Sequence, residues 1–173
     1  MATQDEIKRK FNRAAKALSL NPSLGRNTNS CTTRITSGLA CTTKDGAWEV
    51  RSDAPEALGG NASAPGPGVL GRAALGSCLA IGYVLWASKL DVPINSLEVE
   101  IQADSDGGSS FGTSDVPPGY LEVRYCVRVD SSASQEEILK VLDVADKHSP
   151  YLDVFSRAQT CRRQVEIIQN REV

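Results

Sequence analysis

Aromatic residues make up only 5% of the 173 positions, and the chain has one histidine, His148. A single imidazole excludes a metal centre built on several histidines. The five cysteines (Cys31, Cys41, Cys78, Cys126 and Cys161) nowhere fall into C-x-x-C spacing, so the ligand pairs of a zinc ribbon are missing, and their odd number leaves one thiol over in any disulfide framework. No sign of charge dominates: 19 Lys and Arg face 21 Asp and Glu, a formal charge of −2. That balance removes the electrostatic reason to expect nucleic acid or an anionic membrane surface as a partner. The first ten residues are polar and carry Asp5 and Glu6, unlike a secretory or transit signal. These absences point to a cytoplasmic domain in a reducing compartment, with no metal, no cofactor, no nucleic acid and no membrane partner.

What is present is ordinary for a globular chain: 40% apolar and 23% charged residues, in a length that suits one domain with a small appendage. Asp5 to Leu20 reads as an amphipathic helix, with Ile7, Phe11, Ala14, Ala15 and Leu18 on one side and Lys8, Arg9, Lys10, Arg13 and Lys16 on the other. Asn21-Pro22 ends it, because the residue before proline is pushed out of helical backbone. We assign residues 1–28 to a helical extension and 29–173 to the main domain. Cys31–Ala40 and Ala47–Ser52 are expected as two strands joined through Thr43-Lys44-Asp45-Gly46, whose Asp-Gly is a hairpin signal. Pro55–Gly68, rich in Gly and Pro, is a loop. Its Gly66-x-Gly68-x-x-Gly71 matches a dinucleotide fingerprint in form but lacks the surrounding βαβ pattern.

Val69–Leu90 is the most unusual segment. No charge falls between Arg72 and Lys89, and Leu75, Cys78, Leu79, Ile81, Val84, Leu85 and Trp86 cover every face. The uncharged stretch is shorter than a membrane span and is interrupted by Gly76 and Gly82, so it reads as a helix surrounded by protein, in part by a second subunit. Each of these glycines costs about 1 kcal/mol against alanine, which close approach of another backbone would offset. Two alternating strands follow, Ser96–Asp104 and Tyr120–Asp130, separated by a polar loop. Ser134-Gln-Glu-Glu137 is a capping box opening a helix to Lys147. Tyr151–Ala158 is expected as a last helical piece and Arg163–Asn170 as a closing strand. Elements that do not alternate regularly give an α+β class with antiparallel sheets.

Few residues offer chemistry. Cys126 and Cys161 lie on or beside strands and Cys31 and Cys41 flank one, settings typical of packing thiols. Cys78 follows Gly76-Ser77, and a thiol near a helix N-terminus is favoured as thiolate. His148 beside Ser149 reads as a helix C-terminal residue rather than half of a hydrolase pair. Trp86 and Tyr83 would form the wall of any pocket opening at Cys78.

Arg72-Ala-Ala-Leu-Gly-Ser-Cys78-Leu-Ala, followed by Leu97-Glu-Val-Glu-Ile101 and Val127-Arg-Val-Asp130, resembles the OsmC/Ohr family of osmotically inducible and organic-hydroperoxide-resistance proteins. Ala145-Asp-Lys-His-Ser-Pro150 is similar to the family's second signature, and Thr43-Lys-Asp-Gly46 with Pro55–Gly60 to its N-terminal hairpin and Gly-Gly approach. The resemblance spans about residues 30–170. It implies an intertwined α+β homodimer around the long apolar helix, and a thiol peroxidase. In that chemistry the first cysteine becomes a sulfenic acid on an organic hydroperoxide, the second condenses with it, and an external dithiol reduces the product. It further implies that an arginine and a glutamate hold the first thiolate.

Cys78 falls on the peroxidatic position, but Ser149 falls on the resolving one, and an oxygen cannot complete a disulfide. Lys44 falls on the hairpin arginine, keeping charge but losing the planar fork, and Gly68 falls on the glutamate. Arg34, Arg72 or Arg124 are candidate replacement cations, and Cys126 a candidate resolver. Three readings stay open. One is a hydroperoxide reductase with Cys78 as its single catalytic cysteine, served by Lys44 and Ser149 and resolved by an external thiol. The second is a non-catalytic protein that binds a small hydrophobic or thiol ligand, or senses oxidation, at a dimer interface. The third is a shared fold with Cys78 inert.

Overall fold

The uncharged central run sets the architecture of the computed structural model, which describes residues 2–168. In chain order the elements are α1 (Gln4–Leu20), β1 (Thr32–Ile35), β2 (Cys41–Asp45), β3 (Trp48–Ser52), α2 (Pro67–Lys89), β4 (Ser96–Ser105), α3 (Gly107–Ser110), β5 (Tyr120–Asp130), α4 (Gln135–Lys147) and α5 (Pro150–Ser156). Short 3-10 turns cover Pro22–Gly25 and Glu56–Leu58. The sheets are antiparallel, β1-β2-β3 and β4-β5, as expected for an α+β chain.

Helix α2 starts at Pro67, where proline's missing N–H costs nothing and its fixed φ suits the first turn. One face packs on β4, and α4, α5 and α1 lie against the same helix. Leu75, Leu79 and Tyr83 are fully buried with Ala145 of α4, under Val99, Ile101, Val123 and Val127 of the β4-β5 ribbon. Further along, Ala87 packs with Val92 and Val141. A Cβ on Gly76 would stand 3.3 Å from the Ile101 side chain, so the close approach expected there exists, against a side chain of β4. Gly82 meets nothing within 4 Å, and the backbone neighbour expected for it is absent from the single chain. The same holds for the helix as a whole: it is long and apolar enough to cross a membrane, but only a minor share of it is buried, and Ile81 is 61% exposed. The surrounding expected on all sides is complete on one side only.

β4 and β5 pair from Ser96↔Asp130 to Ser105↔Tyr120, with a register shift at Asp104 and Ser105. Their outer face is tied by Arg124 to Asp104 and Glu122 and by Arg128 to Glu98 and Glu100. The strand expected over Cys31–Ala40 is instead broken after Ile35 by a turn in which Gly38 has φ +60°, and the chain folds back as β2. The hairpin lies one step later than expected, at Gly46-Ala47, with Asp45 paired to Trp48 and Gly46 at φ +55°. Most of this three-stranded sheet is exposed, including Trp48 at 80%.

The loop before α2 is organised by Asp53. Its carboxylate, almost fully buried, accepts hydrogen bonds from the N–H groups of Ala54, Asn61 and Ser63 and from the Ser63 hydroxyl. These bonds, the Ser63 hydroxyl foremost, hold its pKa below the usual 3.8. A side chain on Gly60 would collide with the Ala54 carbonyl, so only glycine closes this loop. The strand expected from Arg163 is not formed: residues 163–168 have no regular structure and Val165, Ile167 and Ile168 are exposed, while 169 and 170 lie outside the described residues.

Candidate thiol site

Two segments far apart in sequence meet at one sulfur. Cys78 lies about three turns into α2, held in place by Leu75 and Leu79 in the core. The α4 helix opens with the expected capping box: Ser134 accepts from the Glu137 N–H while the Glu137 carboxylate accepts from the Ser134 N–H. It buries Val141 and Ala145 and ends at His148. Ser149 then caps α5, its Oγ accepting from the Leu152 N–H at 3.3 Å. That turn sets the Ser149 hydroxyl 3.6 Å from the Cys78 sulfur. Since Ser149 Oγ accepts from the backbone N–H, its own proton remains available for the sulfur. Ser149 is almost fully buried and Cys78 half-buried.

The sulfur lines a cavity of about 480 Å³ with Phe11, Ile81, Gly82, Leu85, Trp86, Ala145, His148, Ser149 and Pro150. Gly82, with no side chain, leaves part of this space open. Trp86 is a wall, as expected. Tyr83 is not: it is turned into the core, where its hydroxyl donates to Asp146 at 2.7 Å. Tyr125 donates to the other oxygen of the same carboxylate at 2.8 Å, and this Tyr-Asp-Tyr clasp fixes the end of α4 against the ribbon. Burial, and then the bond to Asp146, pushes the Tyr83 hydroxyl well above its ordinary pKa and Tyr125 up to about 12.

The charge around the sulfur differs from the expected picture. A helix dipole acts within the first turn, and Cys78 lies about three turns in, so the expected placement at the N-terminus of α2 is not found. Among the described residues that line the cavity only His148 can carry positive charge. Lys44 lies on β2, paired with Glu49 at 3.6 Å, and does not line the cavity. Arg124 is bound to Asp104 and Glu122, and Arg72 points Nη1 at the Tyr120 hydroxyl, 3.5 Å away. Arg34 is on exposed β1. Cys126 pairs with Glu100 and is exposed on the ribbon face away from α2, so within one chain it is not the resolver. Among the described residues no cluster suits a metal ion. Gly66 caps α2 and Gly68 and Gly71 lie in its first turns under the Tyr120 hydroxyl, so the fingerprint spacing is used in helix packing.

Phe11 is the lining residue that motif reading passed over, while His148 ends α4 as expected and also borders the cavity. Phe11 stood in the apolar stripe of α1, and nothing local ties it to Cys78. His148 had a signal in its place beside Ser149.

The chain is thus an α+β protein with antiparallel sheets, whose longest helix carries a thiol faced by the residue that opens the last one. A family model described as OsmC-like protein matches residues 59–162, and the chain belongs to that family. No curated protein matches it. Among solved structures, the OsmC-like protein from Mycoplasma pneumoniae superposes with a TM-score of 0.64 at 18% identity, over 75% of this chain and 87% of that one. An organic hydroperoxide resistance protein from Legionella pneumophila gives 0.54 at 15%, over 75% and 90%. Another from Elizabethkingia anophelis, with crystallant-derived thiocyanate bound, gives 0.55 at 18%, over 76% and 89%. At these identities the likeness concerns the fold.

Proposed function

We propose that the protein is a thiol-dependent reductase of organic hydroperoxides that uses Cys78 alone, in an oxidative-stress role. The observation that carries this reading is a half-buried thiol in an apolar cavity, 3.6 Å from a hydroxyl able to donate to it. The sulfur of the Cys78 thiolate attacks the distal peroxide oxygen, the O–O bond breaks, and the alkoxide leaves, taking up a proton to become the alcohol. Cys78 is now a sulfenic acid. Ser149 cannot condense with it, so an external thiol does, releasing water and forming a mixed disulfide. A second thiol displaces Cys78 from that disulfide and restores the starting state. The apolar walls favour an organic over an inorganic peroxide. Free thiols throughout the chain suit a reducing, cytoplasmic setting. Two neighbours by fold are named for organic hydroperoxide resistance, which supports the reading by analogy.

The site is completed by a second copy of the chain in this proposal. Ile81 and Val84 of α2 and Ile35, Trp48 and Val50 of the first sheet leave apolar surface uncovered. An intertwined homodimer covers both and gives Lys44 of the partner's hairpin access to the thiolate. That no lysine or arginine lines the cavity among the described residues favours a second reading, non-catalytic binding of an apolar ligand.

The deciding measurement is cumene hydroperoxide consumption with dithiothreitol or dihydrolipoamide. Turnover is expected and is lost in Cys78→Ser. Undiminished turnover in that variant overturns the proposal. Negligible turnover together with a co-purified small molecule in native mass spectrometry establishes the binding reading.

A further inference from the structure

One wall of the Cys78 cavity comes from outside the region that matches the family, which begins at residue 59. Helix α1 lies along α2 and is fastened at several points. The Gln4 amide donates to the Val92 carbonyl at 3.1 Å, and Lys8 Nζ is 2.6 Å from an oxygen of Asp91. Asp91 has φ +59°, in a left-handed turn where the Val92 N–H returns to the Ala87 carbonyl, which turns the carboxylate toward α1. Phe11, one turn beyond Ile7, meets Trp86 edge to face, with centroids 5.2 Å apart at 65°. Trp86 in turn stacks on His148 at 5.0 Å and 18°. Lys89 Nζ lies over both the Phe11 and the Trp86 rings, at 4.9 and 4.5 Å. A row of three rings therefore runs from α1 across α2 to the residue beside Ser149, and all three border the cavity.

We propose that Phe11 is a specificity-determining residue, through which α1 selects ligands bearing an aromatic ring for the Cys78 cavity. Under the reductase reading, on which this rests for its reaction, those ligands are aryl hydroperoxides. Their rings add edge and face contacts to Phe11 and Trp86 that a compact alkyl group cannot make. Phe11 acts on binding and leaves the reacting atoms alone. Its loss raises KM for the aryl substrate with kcat little changed.

The test uses the full chain carrying Trp48→Phe, which leaves Trp86 as its one tryptophan. Trp86 fluorescence is titrated with cumyl alcohol and with tert-butyl alcohol, the products of two hydroperoxides, so that no turnover is needed. Cumyl alcohol is expected to bind about tenfold more tightly. Phe11→Ala reduces that affinity about fivefold and leaves tert-butyl alcohol unchanged. Phe11→Leu, which keeps apolar bulk and helix packing, shows the same loss. Equal binding of the two alcohols by the parent, a cumyl alcohol affinity unchanged in both variants, or a loss in the variants that is the same for both alcohols with helicity intact, overturns the proposal. Discrimination that depends on Phe11 in a protein without hydroperoxide turnover supports the selector and sinks the reductase reading instead.

Discussion

The Ser149 hydroxyl stands 3.6 Å from the Cys78 sulfur while the same oxygen accepts the Leu152 N–H at the head of α5. One side chain thus links the start of the last helix to the middle of the longest. Disulfides need an S–S distance of about 2.05 Å, so a sulfur at 149 has to close the remaining gap through its longer C–S bond and a change of χ1. Ser149→Cys, treated with one equivalent of cumene hydroperoxide, is expected to form an intramolecular bond to Cys78. Intact mass then falls by two hydrogens, and the parent chain under the same treatment gains oxygen instead. A variant that also only gains oxygen contradicts the facing geometry.

Asp146 receives both the Tyr83 and Tyr125 hydroxyls. Removing a donor to a charged acceptor costs about 1.5–3 kcal/mol, so Tyr83→Phe is expected to lower stability by that order in urea unfolding. Tyr125 supplies a pH signature. Its folded pKa, about 12, lies above its ordinary 10.0 because burial, and then the bond to Asp146, disfavours the phenolate. Its contribution is therefore whole below pH 10 and lost as pH rises toward 12. The gap in stability between the parent chain and Tyr125→Phe should narrow across that window.

Asp53 behaves in the opposite sense. Its pKa is held below 3.8 by the Ser63 hydroxyl and the N–H groups around it. Ionisation therefore stabilises the fold above about pH 4 and ceases to do so as pH falls through the depressed folded value. Asp53→Asn is expected to lower Tm at pH 7, with the difference from the parent shrinking at more acid pH. A constant difference across pH would show that shape, not charge, holds the loop.

Val84 is 37% exposed beside Ile81 on the uncovered face of α2. In sedimentation at micromolar concentration the parent chain is expected at twice its 18.5 kDa, and Val84→Glu at one chain mass, since a carboxylate cannot be buried there unpaired. A parent chain that sediments singly removes the homodimer and, with it, the route by which Lys44 reaches the sulfur.

What was legible in the residues follows from the range of the forces involved. β5 was readable to its end residues because strict alternation from Leu121 to Val129 is a local pattern, and α4 because Ser134 and Glu137 complete their own cap. Cys78 and Ser149 were singled out by motif and do meet. The break between β1 and β2 was missed because Gly38 in a left-handed turn leaves no trace in the hydrophobic pattern. Phe11 and Trp86 are 75 positions apart and meet only through tertiary packing, which no periodicity records. The strand anticipated from Arg163 has the alternation of one but no partner edge among the described residues.

Water reaches most of β1, β2 and β3, whereas β4 and β5 lie under the buried residues of α2. A thin ribbon without a covering layer holds its amides only weakly against solvent. Deuterium uptake should then divide the molecule in two. The ribbon beneath α2 is expected to keep its hydrogens longest, and under the proposed homodimer, which covers the first sheet, exchange in that sheet slows as the chain concentration rises.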